Sequence, residues 1–532
     1  MPTATRVAAA LMLLIALATF IGTDRWLGPL DDETEFVTFA RQSLSETFDD
    51  YWQRSGQPEH PPLGNVLLHL WLPIGGAAQW SLRLPSMLLY LGGLLVFAFA
   101  ARRIASTTGH ADSAPDANNA GNAGMGDAGD AANAAFLTLL GLGVAWPFGF
   151  HFGRVAEWYS LAFFLVGAMT LSYLRFLEKG SAGRLAAFVL PAILLVYTTY
   201  YGWAIVGCLV LDLALVRGRR EAGKLLLVTL GAMALAYIPL WRTFVQQVLH
   251  GSEIVTTSDA SLPSRVLNAS YAFYALFVSE SVAPWFAWVS APTGIAILAS
   301  IALAASLAPP AGRRSVLWFA ALFAGMVVIG IVNTKRLLSI SGWLLLPLAL
   351  ALAGAGFPAR RRALAVLLAS IALVGWGGVV ARSYYAALHF VEPWPALADQ
   401  GARTVAAGGV VVTNSDPLRF SLNYSLLAAG LVPRDAVPGW VDHPSVIDVS
   451  GWRPAAVAGK NSVLFVRGVN TNLIDATDRA GQWLADSCVK LAERELVADS
   501  GYEFKRRHFP NAGQLPFRIS VREYDCGAAT AT

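Results

Sequence analysis

Residues 7–22 read VAAALMLLIALATFIG, a run without a charge, and after TDRWLGPL comes the acidic triplet Asp31-Asp32-Glu33. A helix crosses the hydrocarbon core with roughly 20 apolar residues, so the run reads as a membrane span. The triplet then stands at the wet edge, where a carboxylate stays charged at little cost. Similar runs recur at 82–101, 134–150, 158–177, 185–200, 202–216, 225–241, 285–307, 315–332, 337–356 and 363–381, which makes eleven candidate spans. The composition agrees: 55% of the 532 residues are hydrophobic, 14% are charged and the mean hydropathy is +0.51. Soluble domains carry about 25% charge. The chain is therefore read as a polytopic α-helical membrane protein.

Basic clusters orient it. Arg102-Arg103, Lys179 with Arg184, Arg217 with Arg219 and Arg220, Arg313-Arg314 and Arg360-Arg361-Arg362 fall on alternate loops. The positive-inside rule makes that side cytoplasmic. The N-terminus is then cytoplasmic, and the loop 23–81, the turn 151–157, the loop 242–284 and everything after 382 face outward. Ahead of the first span the only basic residue is Arg6, so the span is read as retained rather than as a cleaved leader. The net charge of +4, gathered on cytoplasmic edges, points to anionic headgroups and not to nucleic acid. In a bacterial cell the expected location is then the inner membrane, with the residues after 382 in the periplasm.

Two domains follow. Residues 1–381 form the transmembrane part. Within it, 105–134 is rich in Ala, Asn, Gly and Asp, cannot bury a core, and is expected to be a disordered cytoplasmic linker. In the outward loop 23–81, Phe36, Phe39, Ala40 and Leu44 share a helix face that suits the membrane interface. LGNVLLHLWLPIGG, residues 63–76, reads as a second interfacial helix. Residues 382–532 change character. GGVVVTNSDP, NSVLFVRGVN and FRISVREYDC read as strands, and TDRAGQWLADSCVKLAEREL as a helix, giving a soluble α/β domain long enough for its own core.

Several polar groups stand out on the outward side. Asp32 and Glu35 fit a capping box with Asp32 at the N-cap; the same carboxylate is also placed to accept a proton. His60 sits in Pro58-Glu59-His60-Pro61-Pro62, where prolines fix an extended turn. It is either a solvated loop residue or a donor to a phosphate oxygen. Arg154 and Glu157 are spaced to pair with each other, or Arg154 binds an anionic headgroup. Tyr197, Tyr200 and Tyr201 end a span, as interfacial anchors or as ligands. Lys335-Arg336 lies outward against the positive-inside trend, which suggests an anionic ligand such as a lipid phosphate. Cys208 reads as packing within a span, while Cys488 and Cys526 in the tail are either a disulfide or two thiols. The sequence has no GxxxxGK[ST], no GxGxxG opening a βαβ unit, no HExxH and no paired Cys/His zinc spacing, so nothing in it points to ATP.

Taken in order, Asp32-Glu33, His60-Pro61-Pro62-Leu63, Leu67 to Trp71, and Arg83-Leu84-Pro85-Ser86 resemble the GT-C membrane glycosyltransferases of the protein O-mannosyltransferase and lipid A aminoarabinose transferase type (glycosyltransferase family 39-like). Arg154 to Leu161, Tyr197 to Gly202 and Lys335 to Leu338 resemble later segments of that family, so the likeness runs over about residues 8–380. It implies a transferase that takes a sugar from a polyprenyl-phosphate donor and gives it to a lipid, glycan or protein acceptor. Asp32 would be the catalytic carboxylate, with Glu33 in support. His60, Arg154, Lys335 and Arg336 would hold the donor phosphate. His60 stands where aminoarabinose transferases have lysine, and Glu157 where part of the family has arginine. Glu157, Tyr159, Tyr200 and Tyr201 would meet the acceptor or sugar. No cofactor is firmly implied, although a divalent metal could bind the acidic triplet. The competing readings are a flippase or transporter of lipid-linked saccharides, against which the chain shows no internal repeat, and a non-catalytic scaffold.

Overall fold

A computed structural model describes residues 1–24, 31–41, 43–53, 61–76, 78–108, 123–246, 261–282, 284, 286–354, 356–381, 394–414, 422–423, 426, 443–447, 452–468, 478–497 and 518–528. The chain divides into two compact units. The first holds Met1–Gly22, Phe48–Gly64 and Leu84–Ser383; the second holds Thr23–Thr47, Asn65–Arg83 and Tyr384–Thr532.

The first unit is helical. Among the described residues seven helices are long and apolar enough to cross a membrane: Thr3–Gly22, Gln79–Thr107, Tyr159–Glu178, Ala287–Leu307, Pro310–Ile329, Lys335–Ala353 and Pro358–Val380. An eighth candidate, Gly223–Ala236 with Ile238–Gln246, is bent by 61°. Three of the eleven runs read from sequence fall on shorter apolar stretches: Gly129–Val144, the C-terminal part of helix Ala123–Val144, with Ala182–Val196 and the 16-residue helix Gly202–Arg217. Prolines explain two interruptions. Trp146 is extended (φ −82°, ψ 115°) ahead of Pro147, which opens a separate helix Pro147–Phe152, as proline disfavours the α region for the residue before it. Likewise Pro239 falls in the 3-10 turn Ile238–Leu240, where the bent pair breaks.

Burial sorts these helices. Leu338–Ala353 is buried from Leu338 through Ala351 and packs against Ala123–Val144, Tyr159–Glu178, Ala287–Leu307 and Pro310–Ile329. A helix apolar all round belongs in the middle of a bundle. By contrast Thr3–Gly22 leaves Val7, Leu11, Leu14 and Ile15 exposed, the surface expected to meet lipid. Interior contacts use small residues and side-chain bonds. A Cβ on Gly342 would meet the Phe97 ring at 2.2 Å, and one on Gly93 would meet the Phe163 ring at 2.5 Å; glycine lets the helices approach. Trp343 Nε1 donates to Thr170 Oγ1 at 2.8 Å. The segment 105–134, expected to be irregular, is helical at both ends: Gln79–Thr108 takes its start and Ala123–Val144 its last residues. Ala, Met and Asp tolerate a helix once an apolar continuation from Ala131 to Val144 is packed.

In the second unit the C-terminal residues form a five-stranded sheet of order β2-β1-β3-β5-β4, with β1 Val410–Thr413, β2 Val446–Ile447, β3 Val463–Gly468, β4 Val489–Val497 and β5 Arg518–Asp525. β1 runs parallel to β2 and β3, and β5 runs antiparallel to β3 and β4. Val410, Val412, Val463, Phe465, Leu484 and Tyr524 form its core. The three expected strands are β1, β3 and β5. The expected long helix is corrected: it stops at Ser487, and β4 follows. Leu, Ala, Glu and Arg favour helix intrinsically, but pairing with β5 wins. Cross-strand ion pairs Arg522–Glu493 and Arg494–Glu523, each at 2.8 Å, line that pairing, and β4 begins beside the Cys488–Cys526 disulfide.

The single helix face expected to carry Phe36 through Leu44 is also corrected. Asp31–Ala40 and Leu44–Gln53 are separate helices. Ser43 starts the second: its Oγ accepts from the Glu46 backbone N–H at 3.2 Å, and Glu46 Oε2 accepts from the Ser43 N–H at 2.8 Å. This is a reciprocal capping box; the Ser43 N–H, with the Ser43 hydroxyl donating to the same Glu46 oxygen at 2.8 Å, holds the Glu46 carboxyl below its ordinary range. Asp31–Ala40 begins one residue before Asp32, so Asp32 lies in the first turn and not at the expected N-cap.

Candidate functional site

The second unit places Arg83 at the head of its acidic segment. Helix Leu63–Gly75 ends at Gly76, which is left-handed at φ +70°. The next helix begins at Gln79, and Trp71 Nε1 donates to the Ser81 carbonyl at 2.8 Å across the corner. Arg83, fully buried, follows. Its Nε reaches Glu33 Oε1 at 2.8 Å and its Nη2 reaches Glu33 Oε2 at 2.6 Å. Its Nη1 donates to Asp24 Oδ1 at 2.9 Å, and Gln79 Nε2 donates to the Asp24 carbonyl at 3.1 Å. The guanidinium fork thus matches one carboxylate with two parallel bonds and takes a second on its remaining nitrogen. Glu33, expected to support catalysis, is committed to Arg83. Sequence reading missed Asp24 altogether; a carboxylate directly after an apolar span was its signal. The side chains of Asp31 and Asp32, and all of His60, lie outside the described residues.

The first unit carries the remaining groups. Between helices Pro147–Phe152 and Tyr159–Glu178 runs a tight turn, closed by Gly153 N–H to Gly149 O at 2.9 Å and Glu157 N–H to Val155 O at 2.7 Å. Ser86 Oγ donates to the Glu157 carbonyl at 3.3 Å. On this turn the Arg154 guanidinium lies 4.1 Å from the centre of the Phe150 ring, within cation–π range. Glu157 reaches across the bundle. Its Oε1 accepts from Lys335 Nζ at 3.1 Å, with both side chains buried. The two are 178 residues apart, so spacing could not reveal the pair. The Lys335 ammonium is also 5.7 Å from the Tyr159 ring.

Lys335 opens the 3-10 turn Lys335–Leu337, which feeds helix Leu338–Ala353. Asn333 Oδ1 accepts from the Lys335 N–H at 3.0 Å, and Tyr201 Oη lies 3.0 Å from Ser339 Oγ. Arg336 turns away to donate to the Ile331 carbonyl at 3.1 Å. The two cations read together from sequence therefore differ: Lys335 is buried in an ion pair, whereas Arg336 holds its own backbone. Tyr200 packs against Phe244 with ring centres 6.2 Å apart.

A second buried group escaped the sequence reading. His151 Nδ1 contacts Ser279 Oγ, and Ser279, at φ +57°, is left-handed. Ser279, Glu280 and Ser281 are all buried. Three polar residues inside the apolar run LFVSESVAP were the available signal. Burial, reinforced by the Arg154 charge, holds His151 well below the ordinary imidazole range, so it stays neutral. Among the described residues no group of three or more His, Cys, Asp or Glu could hold a metal ion.

No protein-family model and no curated protein matches the chain. Solved structures do. The crystal structure of ArnT from Cupriavidus metallidurans bound to undecaprenyl phosphate matches at TM-score 0.51 and 15% identity, over 98% of this chain and 99% of that one. The apo structure of the same protein matches at TM-score 0.52 and 14% identity, over the whole of both chains. This chain has the GT-C fold. At such identity the likeness is one of backbone architecture, and it extends through the C-terminal sheet. The helical bundle and the C-terminal α/β region expected from the sequence are both present.

Proposed function

We propose that this protein is an integral-membrane glycosyltransferase that moves a sugar from a polyprenyl-phosphate donor to a lipid, glycan or protein acceptor at the periplasmic face of a bacterial inner membrane. One observation carries the reading. A buried lysine, paired with a glutamate, stands at the start of an otherwise apolar helix, in a fold whose solved ArnT example holds undecaprenyl phosphate. A buried ion pair is weak evidence for stability, and an ionisable residue inside a helical membrane bundle marks a functional site by default. The disulfide in the tail fits an oxidising compartment.

In the proposed reaction the acceptor's hydroxyl or amine attacks the anomeric carbon. The bond from that carbon to the phosphate oxygen breaks, and polyprenyl phosphate leaves with the electron pair. Asp32 takes the acceptor's proton. Lys335 and Arg154 offset the growing phosphate charge, with His60 and Arg336 as further donors. Glu157, Tyr159, Tyr200 and Tyr201 are the groups proposed for the sugar or acceptor, which is a hexose or pentose chemistry.

The test incubates purified protein with a polyprenyl-phosphate sugar and follows release of polyprenyl phosphate. Asp32→Asn should lower release by about 10²–10⁴-fold, the usual worth of a general base, with no loss of protein. Undiminished release by that variant overturns the assignment. Movement of the intact donor between leaflets without bond cleavage would instead establish a flippase. Mass spectrometry of envelope glycolipids with and without the gene then names the sugar and acceptor.

A further inference from the structure

Resting on the transferase reading, we infer that Glu157 is a displaceable counter-ion for Lys335: it occupies the ammonium until the donor phosphate takes its place, and returns to expel the product. Three observations combine. The pair is buried on both sides, Nζ to Oε1 at 3.1 Å. Glu157 sits on a short turn with its backbone tied to Val155 and Ser86, so its side chain can rotate without unfolding a helix. Lys335 opens the turn into a 16-residue helix, an end whose partial positive charge favours an anion. At rest that anion is the Glu157 carboxylate.

A buried ion pair contributes little net stability, yet an unpaired buried ammonium is costly. A site that must be empty before its anionic ligand arrives therefore needs a resident anion. The Glu157 carboxylate meets that need at a cost: the donor must compete with it. Charge then sets the order of events. The donor is a phosphodiester with one negative charge, whereas the product is a monoester that carries up to two. Without a competing carboxylate, Lys335 would retain the product. Glu157 therefore acts as a positioning and release residue, and does not touch the reacting atoms.

The experiment measures binding of polyprenyl phosphate to the purified full chain, with polyprenol, which lacks the phosphate, as control. Glu157→Gln should bind polyprenyl phosphate about tenfold more tightly than the unaltered protein and be more strongly inhibited by it as product, with polyprenol binding unchanged. Lys335→Met should weaken phosphate binding, and adding Glu157→Gln to it should give no tightening. Equal or weaker binding by Glu157→Gln overturns the inference, because the carboxylate then merely holds the lysine. Tightening that persists without Lys335 overturns it too. Should Glu157→Gln not accumulate, Glu157→Asp, which retracts the carboxylate by one methylene, should tighten binding to a smaller degree; unchanged or weaker binding by it is the contrary result. If the unaltered protein binds no polyprenyl phosphate, the transferase reading fails together with this one. If it binds and Glu157→Gln does not tighten, only the counter-ion role falls.

Discussion

Arg83 clamps Glu33 through two parallel hydrogen bonds, Nε to Oε1 at 2.8 Å and Nη2 to Oε2 at 2.6 Å, while its third nitrogen holds Asp24 at 2.9 Å. The clamp fixes the helix Asp31–Ala40 immediately beside Asp32. Arg83→Met leaves two buried carboxylates without their cation, and breaking a buried pair from one side costs about 3–5 kcal/mol. Arg83→Lys keeps the charge but cannot span the fork. We expect both to lower the thermal midpoint of the detergent-solubilised protein, the methionine variant more. Adding Glu33→Gln to Arg83→Met should recover part of the loss, because one of the stranded charges is then gone.

What the sequence disclosed of this architecture followed physical range. Spans were legible because hydropathy is local and the hydrocarbon core demands it at every point. The helix break at Ser43 was not, because Asp32-x-x-Glu35 and Ser43-x-x-Glu46 both fit a capping box, and only the backbone shows that the second is the one that forms. β4 was read as helix since Lys490, Leu491, Ala492 and Glu493 favour one locally; only the partner strand, bonded from Val489 to Val497, decides otherwise. The Glu157–Lys335 pair joins residues whose separation hides it from any spacing rule. Arg83 meets Glu33 and Asp24 across 50 and 59 residues, a separation that no local pattern reveals.

The turn carrying Arg154 and Glu157 depends on Gly153. A Cβ there would lie 2.4 Å from the Gly149 carbonyl oxygen and 2.6 Å from the Tyr90 ring, and neither backbone nor a buried ring can yield easily. Overpacking of this kind costs about 1–3 kcal/mol. Gly153→Ala should lower the thermal midpoint and also kcat/KM, as the turn moves with Glu157. Gly141→Ala, in helix Ala123–Val144 with nothing near its Cβ, is the control and should stabilise by about 0.5–1 kcal/mol. Equal behaviour of the two alanine variants would show that the close approach is relieved.

His151 gives the first unit an acid limit. Folded, burial and the Arg154 charge keep it neutral; unfolded, it binds a proton below about pH 6.5. The unfolded state therefore holds more protons below that pH, and stability rises with pH there. The contribution is complete above about pH 6.5 and falls by up to about 1.4 kcal/mol for each unit below it, until the depressed folded value is reached. Thermal midpoints measured between pH 5 and 7.5 should show this slope. His151→Asn, whose amide can still meet the Ser279 hydroxyl, should flatten it. An unchanged slope in that variant would assign the acid sensitivity to other groups.

The disulfide between Cys488 and Cys526 closes a loop with a sequence separation of 38. It joins the start of β4 to the end of β5, and Cys526 is itself buried in the sheet core with Val412, Phe465 and Tyr524. By the chain-entropy argument a loop of this length is worth about 4 kcal/mol. Cys488→Ser, or reductant acting on the unaltered protein, should therefore destabilise the C-terminal sheet by an amount of that order. The helical unit is the internal control, since its described cysteine, Cys208, is a free thiol. Limited proteolysis distinguishes the two, because β4 is an edge strand in which Val489 and Leu491 are exposed. Cleavage should begin within β4 after reduction and leave the helical bundle intact. Resistance of the reduced sheet would mean that the pairing of β4 with β5, with its two cross-strand ion pairs, holds the edge without a covalent tie.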